Sequence, residues 1–187
     1  MAGCLITKSL NSRRCEYAVA GARFLYLANF YPAAEGDAAQ AGVITYNIDT
    51  NGYISNIYLP TGESFYEIKG EDNTISFQDA LVEGGNGCKY RLHTVNAVLN
   101  QFDIDALNEG DALSLGRFIA VVIDAAGRVV VLGRTGGLAA PAGGFDYNSG
   151  AATTDSTGWT ILLQGGSMEI AKLGIDASII DPLFVAV

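Results

Sequence analysis

The chain has 187 residues, of which 49% are hydrophobic and 17% charged, and its formal net charge is −9. This composition is typical of a globular protein, because disordered chains carry fewer apolar and more charged residues. The length favours a single domain over residues 1–187. The negative charge disfavours stable duplex binding, since affinity for nucleic acid comes mainly from cations that neutralise phosphates.

The first 30 residues differ in charge from the rest of the chain. They hold four basic residues against Glu16, a charge of +3, so that −12 falls on the remainder. Charged residues interrupt every apolar run there well short of the roughly 18 residues needed to span a bilayer, and no cleaved secretion signal is recognisable. We therefore expect no membrane partner and interpret residues 1–21 as an N-terminal arm.

The predicted elements in chain order are mostly strands. Residues 22–31 alternate and are rich in aromatics, which favours a strand. Residues 43–59 contain Asn51-Gly52 between two β-rich runs, a strong hairpin signal because both residues tolerate positive φ angles. Three further strands are predicted within residues 63–70, 73–83 and 89–100, and another within 159–165.

A single helix is predicted at residues 103–115. Asp103 is a suitable N-cap, and Ala106, Leu107, Gly110 and Leu113 fall on one face at helical spacing. Because glycine costs a helix about 1 kcal/mol relative to alanine, this helix needs support from packing. The elements together predict a mainly β fold: antiparallel sheets in a sandwich or barrel-like arrangement with one flanking α-helix.

A strongly apolar hairpin is predicted from residues 117–123 and 128–133, joined by the sequence DAAG at 124–127. A sheet covered on one side alternates apolar and polar residues, whereas these two strands are apolar almost throughout. We therefore expect both faces of the hairpin to be covered. One cover is the core of the domain, and the other is the helix or another subunit.

A glycine-rich segment, residues 134–158, follows the hairpin. It lacks the lysine and the following helix that a phosphate-binding loop requires. Structureless segments of this length are uncommon in compact domains unless they are functional. We interpret it as a long loop or arm that lies on a neighbouring subunit, which predicts that it can be shortened without unfolding the monomer.

The apolar residues of this segment and of the C-terminal tail are candidate anchors. Leu138, Phe145 and Tyr147, together with Phe184 of the tail, form the candidate self-assembly interface. The tail, residues 175–187, is apolar to its last residue, which predicts that it docks on its own domain or on a neighbour.

Catalytic and ligand-binding chemistry has little support in the sequence. His93 is the only histidine, and no GxSxG nucleophile elbow exists to pair with it. The three cysteines Cys4, Cys15 and Cys88 show no CxxC spacing, which argues against zinc and against a disulfide framework. We therefore expect no catalytic, cofactor-binding or metal-binding residues and no enzyme activity.

Residues 98–174 carry a resemblance to a known group of proteins. An apolar strand, an Asp-x-x-Gly turn and a strand ending in VLG are followed by GGLAAPAGG, SGAA and DSTGWTILLQG. This order resembles β-rich virion structural proteins of tailed phages that infect Bacteroidota, including crAss-like phages. The resemblance implies the tail-tube fold, a β-sandwich with a flanking helix whose copies associate into stacked rings. Trp159 stands where a tyrosine is more usual in that pattern.

The function that this resemblance implies is that of a virion protein, assembled in the bacterial host cytoplasm, which forms rings of a tail tube or head-to-tail conduit. Its partners would be further copies of itself, adjacent virion proteins and double-stranded DNA that passes without specific binding, because like charge opposes binding. Two alternatives stay open. One is a capsid-decorating or adhesin-like β module that binds a host surface glycan, and the other is an enzyme that uses His93 with a nearby acid.

Overall fold

The computed structural model describes residues 21–69, 74–85, 87–99, 104–150 and 157–180. The strands are β1 (Ala22–Asn29), β2 (Ala33–Glu35), β3 (Ile44–Ile48), β4 (Ile54–Tyr58), β5 (Tyr66–Ile68), β6 (Ser76–Glu83), β7 (Lys89–Leu99), β8 (Phe118–Asp124), β9 (Val129–Leu132), β10 (Phe145–Asn148), β11 (Gly158–Ser167) and β12 (Lys172–Leu173). The helix α1 covers Ile104–Leu115, and a short 3-10 helix covers Ala177–Ile179. The predicted mainly β class with one α-helix is confirmed. The predicted N-cap Asp103 lies outside the described residues.

The strands form three sheets. A five-stranded sheet has the order β12-β9-β8-β1-β5, a four-stranded sheet the order β10-β11-β7-β6, and a three-stranded sheet the order β2-β3-β4. Neighbouring strands are antiparallel except β2 and β3, which are parallel. Two clusters of buried side chains hold the sheets together, one shared by the five- and four-stranded sheets and the other by the five- and three-stranded sheets. The five-stranded sheet is therefore the middle layer.

The hairpin β8–β9 lies at the centre of this middle layer, and every residue of both strands is buried. Ala120 and Val122 belong to the cluster beneath the four-stranded sheet, whereas Val121 and Ile123 belong to the cluster beneath the three-stranded sheet. The alternation follows from the two-residue period of a strand, which sends neighbouring side chains to opposite faces. Both faces are covered as expected, but the covers are two further sheets of the same chain. The expectation of the helix or a second subunit as the second cover is corrected.

Three hairpin turns share one backbone pattern. In each turn the first residue donates its N–H to the carbonyl of the fifth, and the fourth donates to the carbonyl of the first; the turns are 49–53, 84–88 and 124–128. Gly52 and Gly127 hold the fourth position with φ of 87° and 79°, a region that favours glycine. Gly84 and Gly87, which precede Lys89, thus belong to a hairpin turn between β6 and β7.

The helix α1 packs against the end of the four-stranded sheet. Gly110 is buried there, and a Cβ at this position would lie 3.1 Å from Cε1 of Phe145, which explains why the helix carries a glycine. Leu113 packs on the first core cluster. Leu107 was expected on the same face as these residues, but its side chain is exposed.

The start of the C-terminal tail is docked on its own chain. Ile179 and Ile180 are buried in the second core cluster, and the Asp176 side chain accepts a hydrogen bond from the N–H of Ser178 to cap the 3-10 helix. Ile179 and Ile180 thus lie against their own chain, and docking of the whole tail, residues 175–187, stays a prediction. Residues 181–187, including the candidate anchor Phe184, lie outside the described residues.

Candidate functional site

The glycine-rich segment after β9 joins two sheets. Leu138 exchanges both backbone hydrogen bonds with Phe118 of the five-stranded sheet, at 2.7 and 2.8 Å. The next residue, Ala139, exchanges both with Gln164 of the four-stranded sheet, at 2.8 and 2.9 Å. Two successive residues thus hydrogen-bond to different layers, so the segment is a structural link between them.

The glycines of this link allow backbone to pack directly on backbone. A Cβ at Gly136 would overlap the carbonyl oxygen of Gly166, and a Cβ at Gly165 would overlap that of Gly137. A side chain at either position would force the link away from β11 and break its hydrogen bonds. The glycine content is therefore explained by close approach of two chain segments and needs no bound phosphate.

Two expectations about residues 134–158 are corrected by this arrangement. The segment is not a structureless loop, because it contains the link at 138–139 and the strand β10 at Phe145–Asn148. Leu138 is 0% exposed and belongs to the first core cluster, so its side chain cannot contact a second subunit. Residues 151–156 lie outside the described residues.

The other predicted interface residues of the segment pack on Trp159. The ring of Phe145 stacks on the Trp159 ring with centroids 4.6 Å apart. Tyr147 is the direct cross-strand partner of Trp159, and the centres of their rings are 5.2 Å apart. Phe145 is half-buried, whereas Tyr147 is 40% exposed. Of the candidate anchors, Tyr147 therefore keeps the most accessible side chain among the described residues.

His93 belongs to a polar cluster between the four-stranded and five-stranded sheets. Asp79 of β6 accepts a hydrogen bond from Nε of the neighbouring Arg91 at 2.7 Å and another from the N–H of Ala171 at 3.0 Å. Burial opposes ionisation of this carboxyl, but these hydrogen bonds and the nearby His93 outweigh it and lower the pKa of Asp79. The cluster connects β6, β7 and the segment before β12.

The environment of the His93 ring is that of a structural residue. Nδ1 accepts a hydrogen bond from the N–H of Gly133 at 3.2 Å, while Nε2 lies 3.7 Å from Oδ1 of Asp79. Burial lowers the pKa of His93, and the attraction of Asp79 offsets this only in part, so the ring is neutral at pH 7. Because the ring is buried and both nitrogens face protein groups, it is not placed to abstract a proton from a substrate.

A second polar cluster, centred on Arg134, joins all three sheets. The Arg134 guanidinium follows β9 and donates from Nε and Nη2 to the two carboxylate oxygens of Glu169, both at 2.6 Å. Its Nη1 donates to Glu35 at the end of β2 at 3.3 Å, and its Cζ lies 5.5 Å from the centre of the Tyr46 ring. Glu169 raises the pKa of Arg134, and burial raises the pKa of the Tyr46 phenol. One side chain thus bridges the three layers.

On β6, β7 and β11, the side of the four-stranded sheet that faces away from the core carries no charged side chain. We call it the outer face; it comprises Ser76, Gln78, Ala80, Val82, Tyr90, Leu92, Thr94, Asn96, Val98, Thr160, Leu162, Gln164 and Gly166. The alternate residues of the same strands point inwards and include buried Val95 and Ile161. The charged pair Asp79 and Arg91 also lies on the inward side. Asp146 of β10 pairs with Thr160 and so lies on the same side of the sheet, next to the outer face.

Within residues 21–69, 74–85, 87–99, 104–150 and 157–180, no group of three or more His, Cys, Asp or Glu residues is arranged to hold a metal ion. In that part of the chain no helix is both long and apolar enough to cross a bilayer.

No protein-family model matches the chain, and neither a curated protein nor a solved structure is significantly similar to it.

Proposed function

We propose that this chain is a virion structural protein of a tailed phage, which self-assembles into rings of a tail tube or head-to-tail conduit for DNA. The observation that carries the proposal is the uncharged outer face on a chain with a net charge of −9. Surfaces that stay in water usually carry charged residues, whereas the buried centre of a protein interface is depleted of them. The resemblance of residues 98–174 to phage virion proteins supports the same assignment.

The internal chemistry supports a structural role. The two ion-pair clusters, around Asp79 and Arg134, connect sheets, and His93 is buried beside Asp79. Their carboxylates are paired with cations or backbone N–H groups of the chain itself. Such networks stabilise one arrangement of layers, which a protein that forms a regular assembly requires.

Electron microscopy of the concentrated protein and of virions tests the proposal. We expect rings or short tubes with a central opening, and we expect the same chain to be present in purified particles. A protein that stays monomeric at every concentration and is absent from particles would contradict the proposal.

The second candidate is a capsid-decorating or adhesin-like module that binds a surface glycan. It is favoured by Tyr147, which is 40% exposed and whose ring lies beside half-buried Trp159, because exposed aromatic rings can stack on sugars. A glycan array separates the two functions. Binding that is lost in Tyr147→Ala, from a protein that forms no rings, would favour the module.

A further inference from the structure

We propose that the outer face is the surface on which a second copy of this chain docks. The inference rests on the self-assembly proposed above and names the surface responsible for it. Four properties of the described residues support it: the partly exposed apolar side chain on the face, its lack of charge, its area and its contrast with the other outer sheet.

The outer face presents a partly exposed apolar side chain, Leu92. Leu92 of β7 lies between Ala80 of β6 and Gly166 of β11 in the strand register. Because its two cross-strand neighbours are small, Leu92 keeps part of its side chain accessible to solvent. The Tyr90 ring lies beside it, near Gly166, where a Cβ would be 3.6 Å from the ring. Aromatic and aliphatic side chains that project from a sheet are typical anchors of protein interfaces.

The lack of charge favours another copy of the same chain as the occupant. Two chains of net charge −9 repel each other, and a contact through uncharged side chains avoids placing like charges together. Nucleic acid and anionic membranes require cations, which this face lacks. The uncharged hydrogen-bonding groups of Thr94 and Gln164 can pair with a partner at a lower desolvation cost than ions.

The area of the face suits a contact that is weak on its own. The strands β6, β7 and β11 have 8, 11 and 10 residues; with a spacing of about 4.8 Å and a rise of about 3.3 Å per residue they cover about 460 Å². Two copies would therefore bury about 900 Å² in total, below the standard range for specific interfaces. Such a contact is reversible on its own and becomes stable when closure of a ring repeats it.

The outer side of the three-stranded sheet is a weaker candidate. Its strands are short, and Thr45 on that side is already buried within the chain. Gly36 lies over Thr45, since a Cβ there would be 3.2 Å from its Cγ2. The four-stranded sheet therefore offers the larger open surface.

Sedimentation velocity over a range of concentrations tests the inference with charged variants. Leu92→Glu and Thr94→Glu place a carboxylate on the outer face, and Leu115→Glu makes the same change at the exposed end of α1. Circular dichroism and thermal unfolding check that each variant is folded. We expect both outer-face variants to raise the concentration needed for association at least about tenfold, and the control to change it less than about twofold.

Hydroxyl-radical footprinting gives a second measurement that needs no variant. Oxidation of Tyr90 and Leu92 should fall when the concentrated protein associates, while oxidation of Leu115 should not change. If the native protein associates but both outer-face variants associate equally well, the surface assignment is wrong and the proposed function stands. If the native protein never associates, both are wrong. Protection of Tyr90 that is already complete in the monomer would show that the chain covers its own outer face, and this also overturns the inference.

Discussion

Arg134 and Glu169 form a two-pronged ion pair that fastens the segment after β9 to the segment after β11, with both N–O distances at 2.6 Å. The two residues are 35 positions apart and belong to different layers of the fold. A planar guanidinium matches the two oxygens of a carboxylate, and this geometry makes such pairs stronger than single contacts. The same guanidinium reaches Glu35 by one longer bond of 3.3 Å.

Removal of the Glu169 charge should therefore cost more than removal of the Glu35 charge. The Arg134 and Glu169 side chains are 12% and 20% exposed, so Glu169→Gln leaves a partly buried cation poorly paired, whereas Glu35 is 64% exposed. We expect Glu169→Gln to lower the free energy of unfolding by about 1–3 kcal/mol, and Glu35→Gln by less than about 1 kcal/mol. Urea unfolding measures both, and equal losses would show that the pair does not hold the layers together.

The pH dependence of stability should report on His93. Its pKa is lowered by burial in the folded state, so below about pH 6.5 the unfolded chain binds this proton more readily than the folded chain. The contribution of His93 to the free energy of unfolding is fully present above about pH 6.5. It falls as the pH drops towards the lowered pKa, by at most about 1.4 kcal/mol per pH unit. Urea unfolding at pH 7.5 and 5.5 measures the loss.

The matched variant for this measurement is His93→Gln, which removes the titrating ring. It should be less stable at pH 7.5 and should lose less stability between the two pH values. Asp79 does not obscure the result, because its pKa is lowered and its contribution is lost only at more acidic pH. A variant with the same pH dependence as the native protein would show that another group is responsible.

The close approach of the glycine link to β11 predicts a steric cost for the smallest substitution. Gly165→Ala places a methyl group against the carbonyl of Gly137, whereas Gly85→Ala introduces the same methyl where no atom lies within 4 Å. We expect Gly165→Ala to destabilise by about 1–3 kcal/mol or more and Gly85→Ala to be neutral or slightly stabilising. Thermal unfolding distinguishes them, and a tolerated Gly165→Ala would contradict the described contact.

The burial of Leu138 predicts that the glycine-rich segment after β9 is required for folding. Leu138→Ala should cost about 2–5 kcal/mol because it empties a core position. Leu115→Ala, at a position 86% exposed, should change stability by less than about 1 kcal/mol. Replacement of residues 138–155 by a short linker should unfold the monomer, in contrast to the expectation for an arm. A linker variant with native circular dichroism would restore the arm interpretation.

The parts of the fold that were predictable from the sequence depend on local patterns. The continuous apolar runs of β8 and β9 indicate burial on both faces, and Asn51-Gly52 and the DAAG sequence at 124–127 mark turns that the structure contains. Turn formation requires residues only a few positions apart, so the sequence carries the signal directly. The identity of the covering layers depends on distant strands and could not be read from the hairpin itself.

The link and the polar clusters were not predictable because their partners are far apart in the chain. Leu138 resembles a loop residue because it follows two glycines, and its hydrogen-bonding partner Phe118 lies in the strand β8, 20 residues earlier. His93 finds Gly133 at a separation of 40 residues, and Asp79 finds Ala171 at a separation of 92. The outer face is a partial exception, since uncharged alternate positions in β6, β7 and β11 are visible in the sequence once the register is known.

Self-association of the native chain is the central claim, and sedimentation velocity at low and moderate salt tests it most directly. Because copies of a −9 chain repel one another, salt should strengthen association as the Debye length shortens towards about 8 Å at physiological ionic strength. We predict a shift from a 19.6 kDa monomer to ring-sized species as concentration rises, at lower concentrations in moderate than in low salt. A constant 19.6 kDa species under all these conditions would contradict the account.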